Sequence, residues 1–187
     1  MAESKRDRLI DTALDLFCRN GFHATGIEQI LAEAGVAKMT LYKHFKSKDE
    51  LILAALRRRD EKDRNWFMRA VERRARSPKR RLLAVFDAID DWLSEKDFTG
   101  CVYIGAAHEF GDPKNPIHAA AAEHKLLVLD YIRGLAEAAG AADADDLAYK
   151  LTLLIEGATV MAQVCGHRKA SRRAKDAARK MLAEAGL

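Results

Sequence analysis

The sequence predicts an all-α fold of about nine helices, and three observations carry that expectation. Leu, Ala, Arg, Lys, Glu and Asp dominate the 187 residues and only three are proline, a composition that favours helix. No Val/Ile/Thr-rich alternating run argues for a strand. Apolar residues recur instead at i, i+3, i+4 and i+7, the spacing of one helical face. The length is enough for one domain or for a small head on a larger body.

The elements follow in order. Ile10, Ala13, Leu14 and Phe17 line a first helix from Arg6 to Asn20, and Gly21 suits its left-handed stop. Thr25 is placed to cap a second short helix, with Glu28 as its capping-box partner and Ile27, Ile30, Leu31 and Ala34 inward. Gly35 ends it. A third helix, about Lys38 to Phe45, has Leu41 and Phe45 inward and mostly hydrogen-bonding side chains elsewhere. Ser47-Lys48-Asp49-Glu50 fits the capping box of a long fourth helix to about Arg76, its early acids complementing the helix dipole. Pro78 opens a fifth to about Lys96, and a short sixth follows from about Cys101 to Phe110. Pro116 opens a seventh to about Ala139. An eighth, preceded by Asp143, runs to about Cys165, and a ninth spans Ser171 to about Ala185.

Several classes of protein are disfavoured. No stretch approaches the roughly 18 uncharged apolar residues of a membrane span, and the first residues lack a signal-peptide apolar region. A soluble, cytoplasmic protein with no membrane association is therefore expected. Cys18, Cys101 and Cys165 are odd in number and widely spaced, which suits reduced thiols. Residues 57–81 hold 12 Lys/Arg against 4 Asp/Glu, whereas residues 82–164 hold 5 against 14. A polyanion is thus attracted near the junction of head and body and repelled by the body.

Two helices joined by a Gly-containing turn, then a short polar helix, form the arrangement that places a recognition helix in the DNA major groove. Lys38, Thr40, Tyr42, Lys43 and His44 supply the donors such a helix needs toward phosphates and base edges. The unbroken stretch from Thr25 to Leu51, through Gly35-Val36-Ala37-Lys38-Met39-Thr40-Leu41-Tyr42-Lys43-His44-Phe45 and Ser47-Lys48-Asp49-Glu50, resembles the signature of the tetracycline-repressor (TetR) family. Two positions depart from the common pattern. Ala37 stands where a Ser often caps the recognition helix, a loss of about 1 kcal/mol, and Met39 stands where a small residue is frequent.

The resemblance implies a head over residues 4–64, with the helix-turn-helix at about 27–46, and a ligand-binding and dimerisation body over 65–187. It also implies a repressor released from a palindromic double-stranded DNA operator by a small-molecule effector. An activator, or an architectural DNA-binding protein with no inducing ligand, shares the same head. Carried over by position, Thr25 and Lys48 contact phosphates at the motif's edges, while Lys38, Thr40, Tyr42, Lys43 and His44 face the groove. The run Arg57-Arg58-Arg59 reads better as a solvated or internally paired face.

In the body, Leu151, Leu154, Ile155, Ala158 and Met161, with Met181 and Leu182, are expected to pair across the two-fold axis of a homodimer. The competing reading is that these faces pack only on their own body. Trp66, Phe86, Trp92, Tyr103 and His108 are the candidate lining of an effector pocket, against the alternative of plain core. His108, His118 and His124 are too loosely spaced to specify a metal. No catalytic set, cofactor or metal is expected: a Cys101/His108 pair lacks an orienting third group and an oxyanion site.

Overall fold

The computed structural model describes residues 4–187, which are helical apart from turns and caps. The helices are α1 (Lys5–Asn20), α2 (Ile27–Ala34), α3 (Lys38–His44), α4 (Lys48–Arg74), α5 (Pro78–Leu93), α6 (Val102–Glu109), α7 (Pro116–Ala139), α8 (Ala144–Cys165) and α9 (Ala170–Glu184). Among the described residues there is no strand. The ends follow cap chemistry. Ser4, Ser77 and Asp143 each accept a backbone N–H three residues on. The α4 capping box forms with one shift: Glu50 N–H donates to Ser47 Oγ at 3.2 Å, but the Glu50 carboxylate reaches back to the N–H of Lys46 rather than of Ser47.

One expected cap does not form. Gly26, not Thr25, precedes α2, and no side chain caps that end. Thr25 is fully buried, and its hydroxyl donates to the Gly21 carbonyl at 2.7 Å. A hydroxyl spent inside the α1–α2 turn is a tie within the fold and has no open surface for a phosphate.

The chain divides into two compact units, one made of residues through Lys62 with Val102–His124, the other of Asp63–Cys101 with Lys125–Leu187. The first unit therefore holds α6 and the start of α7 in addition to the N-terminal helices, and α4 and α7 each begin in it and end in the second.

In the first unit, Leu9, Ile10, Leu16, Ile30, Leu41, Leu51, Ile52 and Leu56 are at most 2% exposed and form the core. Arg58 donates to Asp7 at 2.5 Å and to Asp11 at 2.8 Å, tying α4 to α1, and the Ser4 hydroxyl together with Arg58 holds the Asp7 carboxyl below its ordinary range. The middle of the 57–59 basic run is thus internally paired. In the second unit, α5, α8 and α9 pack around Phe86, Leu82, Leu93, Leu147, Leu151, Ile155 and Leu182. Ser171, fully buried at the start of α9, donates to the Phe86 carbonyl at 2.6 Å, and Arg168 bridges to the Leu93 carbonyl while lying over the Phe98 ring.

The expected dimer residues split accordingly. Leu151, Ile155, Ala158 and Leu182 are buried in the second unit's own core, and Leu154 and Met181 are half-buried against it. Only Met161 is open to solvent. The reason lies in the periodicity of α8. Leu147, Leu151, Ile155, Ala158 and Ala162 make one apolar stripe, and Tyr149, Leu153, Gly157, Val160 and Val164 repeat the same spacing two residues on. Two residues are about 200° around a helix, so one stripe faces the core and the other faces out. Tyr149, Leu153, Val160 and Val164 are all exposed.

Candidate nucleic-acid interface

α3 is seven residues long, too short to persist by itself, so its position is set by what it buries. Leu41 and Phe45 sink into the first unit's core, with Ile30, Leu31, Ala34 and Val36 around the preceding turn. Gly35, left-handed at φ +61°, closes α2 and turns the chain toward α3. Ala37 stands at the N-cap and offers no side-chain hydrogen bond. On the surface Arg19 of α1 pairs with Glu33 of α2 at 2.8 Å, and Lys38 of α3 with Glu28 of α2 at 2.6 Å. The Glu28 carboxylate beside it holds the Lys38 ammonium above its ordinary pKa.

With Leu41 and Phe45 inward, the remaining side chains of α3 point out. Lys38, Met39, Tyr42, Lys43 and His44 are exposed and Thr40 is half-exposed. Lys48, in the first turn of α4, is half-buried and directs its ammonium to the His23 carbonyl at 3.4 Å. Of the seven residues expected to meet DNA, six lie on α3 or the start of α4 with open surface, and Thr25 does not.

A carboxylate that the sequence did not single out organises the turn before α2. Glu109, at the end of α6, accepts the Phe22 N–H at 2.8 Å and the His23 N–H at 2.6 Å, one on each oxygen. The His23 ring nitrogen Nε2 lies 3.0 Å from the Glu109 carbonyl oxygen, and Phe110 packs on the rings of Phe22 and His23. Gly21 makes this approach feasible: at φ +85° and ψ 167° it occupies a region open to glycine, and a Cβ there would sit 2.9 Å from Glu109 Oε1. The partners are 87 residues apart in sequence.

The expected pocket residues are divided between the two units. Trp66, Phe86 and Trp92 belong to the second unit and Tyr103 and His108 to the first. Phe86 is fully buried core, Trp92 stacks edge-on against Phe98, and Trp66 is partly exposed. Tyr103 stacks flat on His124 at 3.6 Å, and His124 in turn hydrogen-bonds Asp60 at 2.7 Å. His108 is exposed on α6, and His118 faces the Phe110 carbonyl. Among the described residues no group of three or more His, Cys, Asp or Glu is placed to share a metal ion.

Comparison with known proteins decides what this head is. Residues 9–55 match the family model of bacterial regulatory proteins of the tetR family, and residues 78–178 match the tetracyclin repressor-like C-terminal domain. The chain belongs to the TetR family. A TetR-family transcriptional regulator from Streptomyces coelicolor superposes with a TM-score of 0.90 at 31% identity, covering 98% of this chain and 96% of that one. A second, from Streptomyces avermitilis, gives 0.80 at 32%, covering 95% and 99%. Curated relatives match over shorter stretches. The transcriptional activator FasR of Mycolicibacterium smegmatis is 36% identical over 98 residues, 52% of this chain and 44% of that protein. The regulator YerO of Bacillus subtilis is 34% identical over 96 residues, 50% and 33%. The match thus spans less than half the length of these two relatives.

As a TetR-family member the chain is a transcriptional regulator with a helix-turn-helix DNA-binding domain. None of its helices is long and apolar enough to cross a membrane, among the described residues.

Proposed function

We propose that this regulator is a cytoplasmic, dimeric repressor that reads a palindromic operator with α3 and the first turn of α4, and that a small-molecule effector releases it. The observation that carries the reading is the outward face of α3. Lys38, Thr40, Tyr42, Lys43 and His44 project from a helix anchored by Leu41 and Phe45, so donors and cations are presented on a rigid support. Lys48 extends the cationic edge. One head covers one half-site, so a two-fold dimer reads an inverted repeat with half-site centres about 34–36 Å apart or a multiple of that.

The exposed stripe of α8, Tyr149, Leu153, Val160, Met161 and Val164, supports an isologous dimer. Effector control of the usual strength requires a coupling of about 1–3 kcal/mol, or about 5- to 150-fold in operator affinity. FasR is named an activator, so the sign of control is read directly in the test. The test is operator selection from a random duplex pool, followed by a reporter carrying the selected site. Repression relieved by a compound that also quenches the two tryptophans, both in the second unit, supports the reading. Activation of the reporter, or affinity indifferent to every compound, contradicts its repressor or its effector half.

A further inference from the structure

We infer that Met39 is a base-reading residue of this head, and that the group it reads is the C5 methyl of a thymine in the major groove. The inference rests on α3 being the DNA-reading helix. Met39 is 87% exposed, the most open of the large apolar side chains among the described residues. It lies about 200° around α3 from Leu41, on the side away from the core, and shares its face with Tyr42 and Lys43 at i+3 and i+4. Folding does not account for an apolar side chain there, because little of it is covered.

Its neighbours define the surface that covers it. Lys38, Tyr42, Lys43 and His44 are exposed on the same short helix and supply donors and positive charge, the complement of a polyanion. On base edges in the major groove, the one apolar group is the thymine C5 methyl. Met39 is the second residue of α3, and N-terminal residues of a recognition helix are those that meet base edges. Lys38 is already held by Glu28, whereas Met39 has no competing packing partner, and its unbranched thioether adapts to a small apolar knob. A polar or glycine residue at this position would leave the methyl unrecognised.

The experiment uses the full-length protein and the operator it selects. Each thymine is replaced in turn by deoxyuridine, which removes the methyl and nothing else. The wild-type protein is expected to lose about fourfold in affinity at one thymine per half-site, and about fifteenfold when both symmetric positions are changed, the value of burying one methyl-sized group. In Met39→Ala the same replacement has no effect, in Met39→Leu it retains its penalty, and thermal unfolding of both variants matches the wild type. The inference is overturned if the wild type is indifferent to every replacement, if its operator has no thymine in the half-site, or if Met39→Ala keeps the full penalty. A protein that selects no operator contradicts the DNA-reading assignment itself, a result visible before any deoxyuridine is introduced.

Discussion

Removing the Glu109 carboxylate tests whether α6 fixes the α1–α2 turn. Glu109→Ala deletes two charge-assisted hydrogen bonds, to the Phe22 and His23 N–H groups. The two losses are unequal. His23 is exposed and its N–H regains water, but Phe22 is buried at 1% exposure and its N–H is left without an acceptor. Stranding a buried donor costs about 1–3 kcal/mol, and loss of the charged bond at His23 adds a fraction of that. A local destabilisation of about 2–3 kcal/mol follows, which accelerates amide exchange at Phe22 and His23 by about 30- to 150-fold if these amides exchange by local opening. Hydrogen exchange read at those two amides is the assay. Gly21→Ala supplies an internal check. Its Cβ meets Glu109 at 2.9 Å, so it costs more in the wild type than in Glu109→Ala, where only the backbone strain of about 1–3 kcal/mol remains. Unchanged exchange in Glu109→Ala, or strictly additive costs in the double variant, would refute the clamp.

Other outcomes follow from the same geometry. Lys43→Ala weakens operator binding, and if Lys43 meets a phosphate the slope of log affinity against log salt falls by about one, measured by fluorescence anisotropy. Leu153→Arg places a charge on the outward α8 stripe and leaves the core stripe untouched, so light scattering reports a monomer with unchanged helicity. Lys125 is held by Glu156 at 2.7 and 2.8 Å. Burial alone would lower its pKa, but the Cys101 sulfur and the Glu156 carboxylate raise it above 10.5. A raised cation contributes stability below its unfolded pKa and loses it as pH rises through the folded value. Glu156→Gln is therefore less stable than wild type at pH 8, with the gap closing above about pH 10.5 in urea denaturation.

Much of the fold was legible because local rules and tertiary packing agree. Pro78 at the start of α5, Asp143 ahead of α8, the stop at Gly35 and the 3.6-residue periodicity each fix an element without reference to the rest of the chain. The outward face of α3 was legible for the same reason, since Leu41 and Phe45 define inside and everything else is outside. What was misread depends on packing that local patterns do not encode. Thr25 fits a capping box in sequence, but its hydroxyl is claimed by the carbonyls of Gly21, in the preceding turn, and of Leu16, in α1. On α8 two stripes of equal spacing compete for the core, and periodicity cannot choose between them. Glu109 gave no signal because its partners are backbone N–H groups, which no side-chain motif encodes, and Gly21 read only as a helix stop. The candidate pocket residues are divided between the two units because α6 and the start of α7 group with the N-terminal helices, a grouping that no local pattern encodes.

The central claim is that the outward side of α3 reads a two-fold symmetric site. Footprinting of full-length protein on its selected operator tests it most directly. The expected result is protection of two inverted half-sites whose centres lie about 34–36 Å apart or a multiple of that, lost in Tyr42→Ala/Lys43→Ala while helicity and dimer mass stay unchanged. Protection without two-fold symmetry, or a footprint that survives the double substitution, would contradict it.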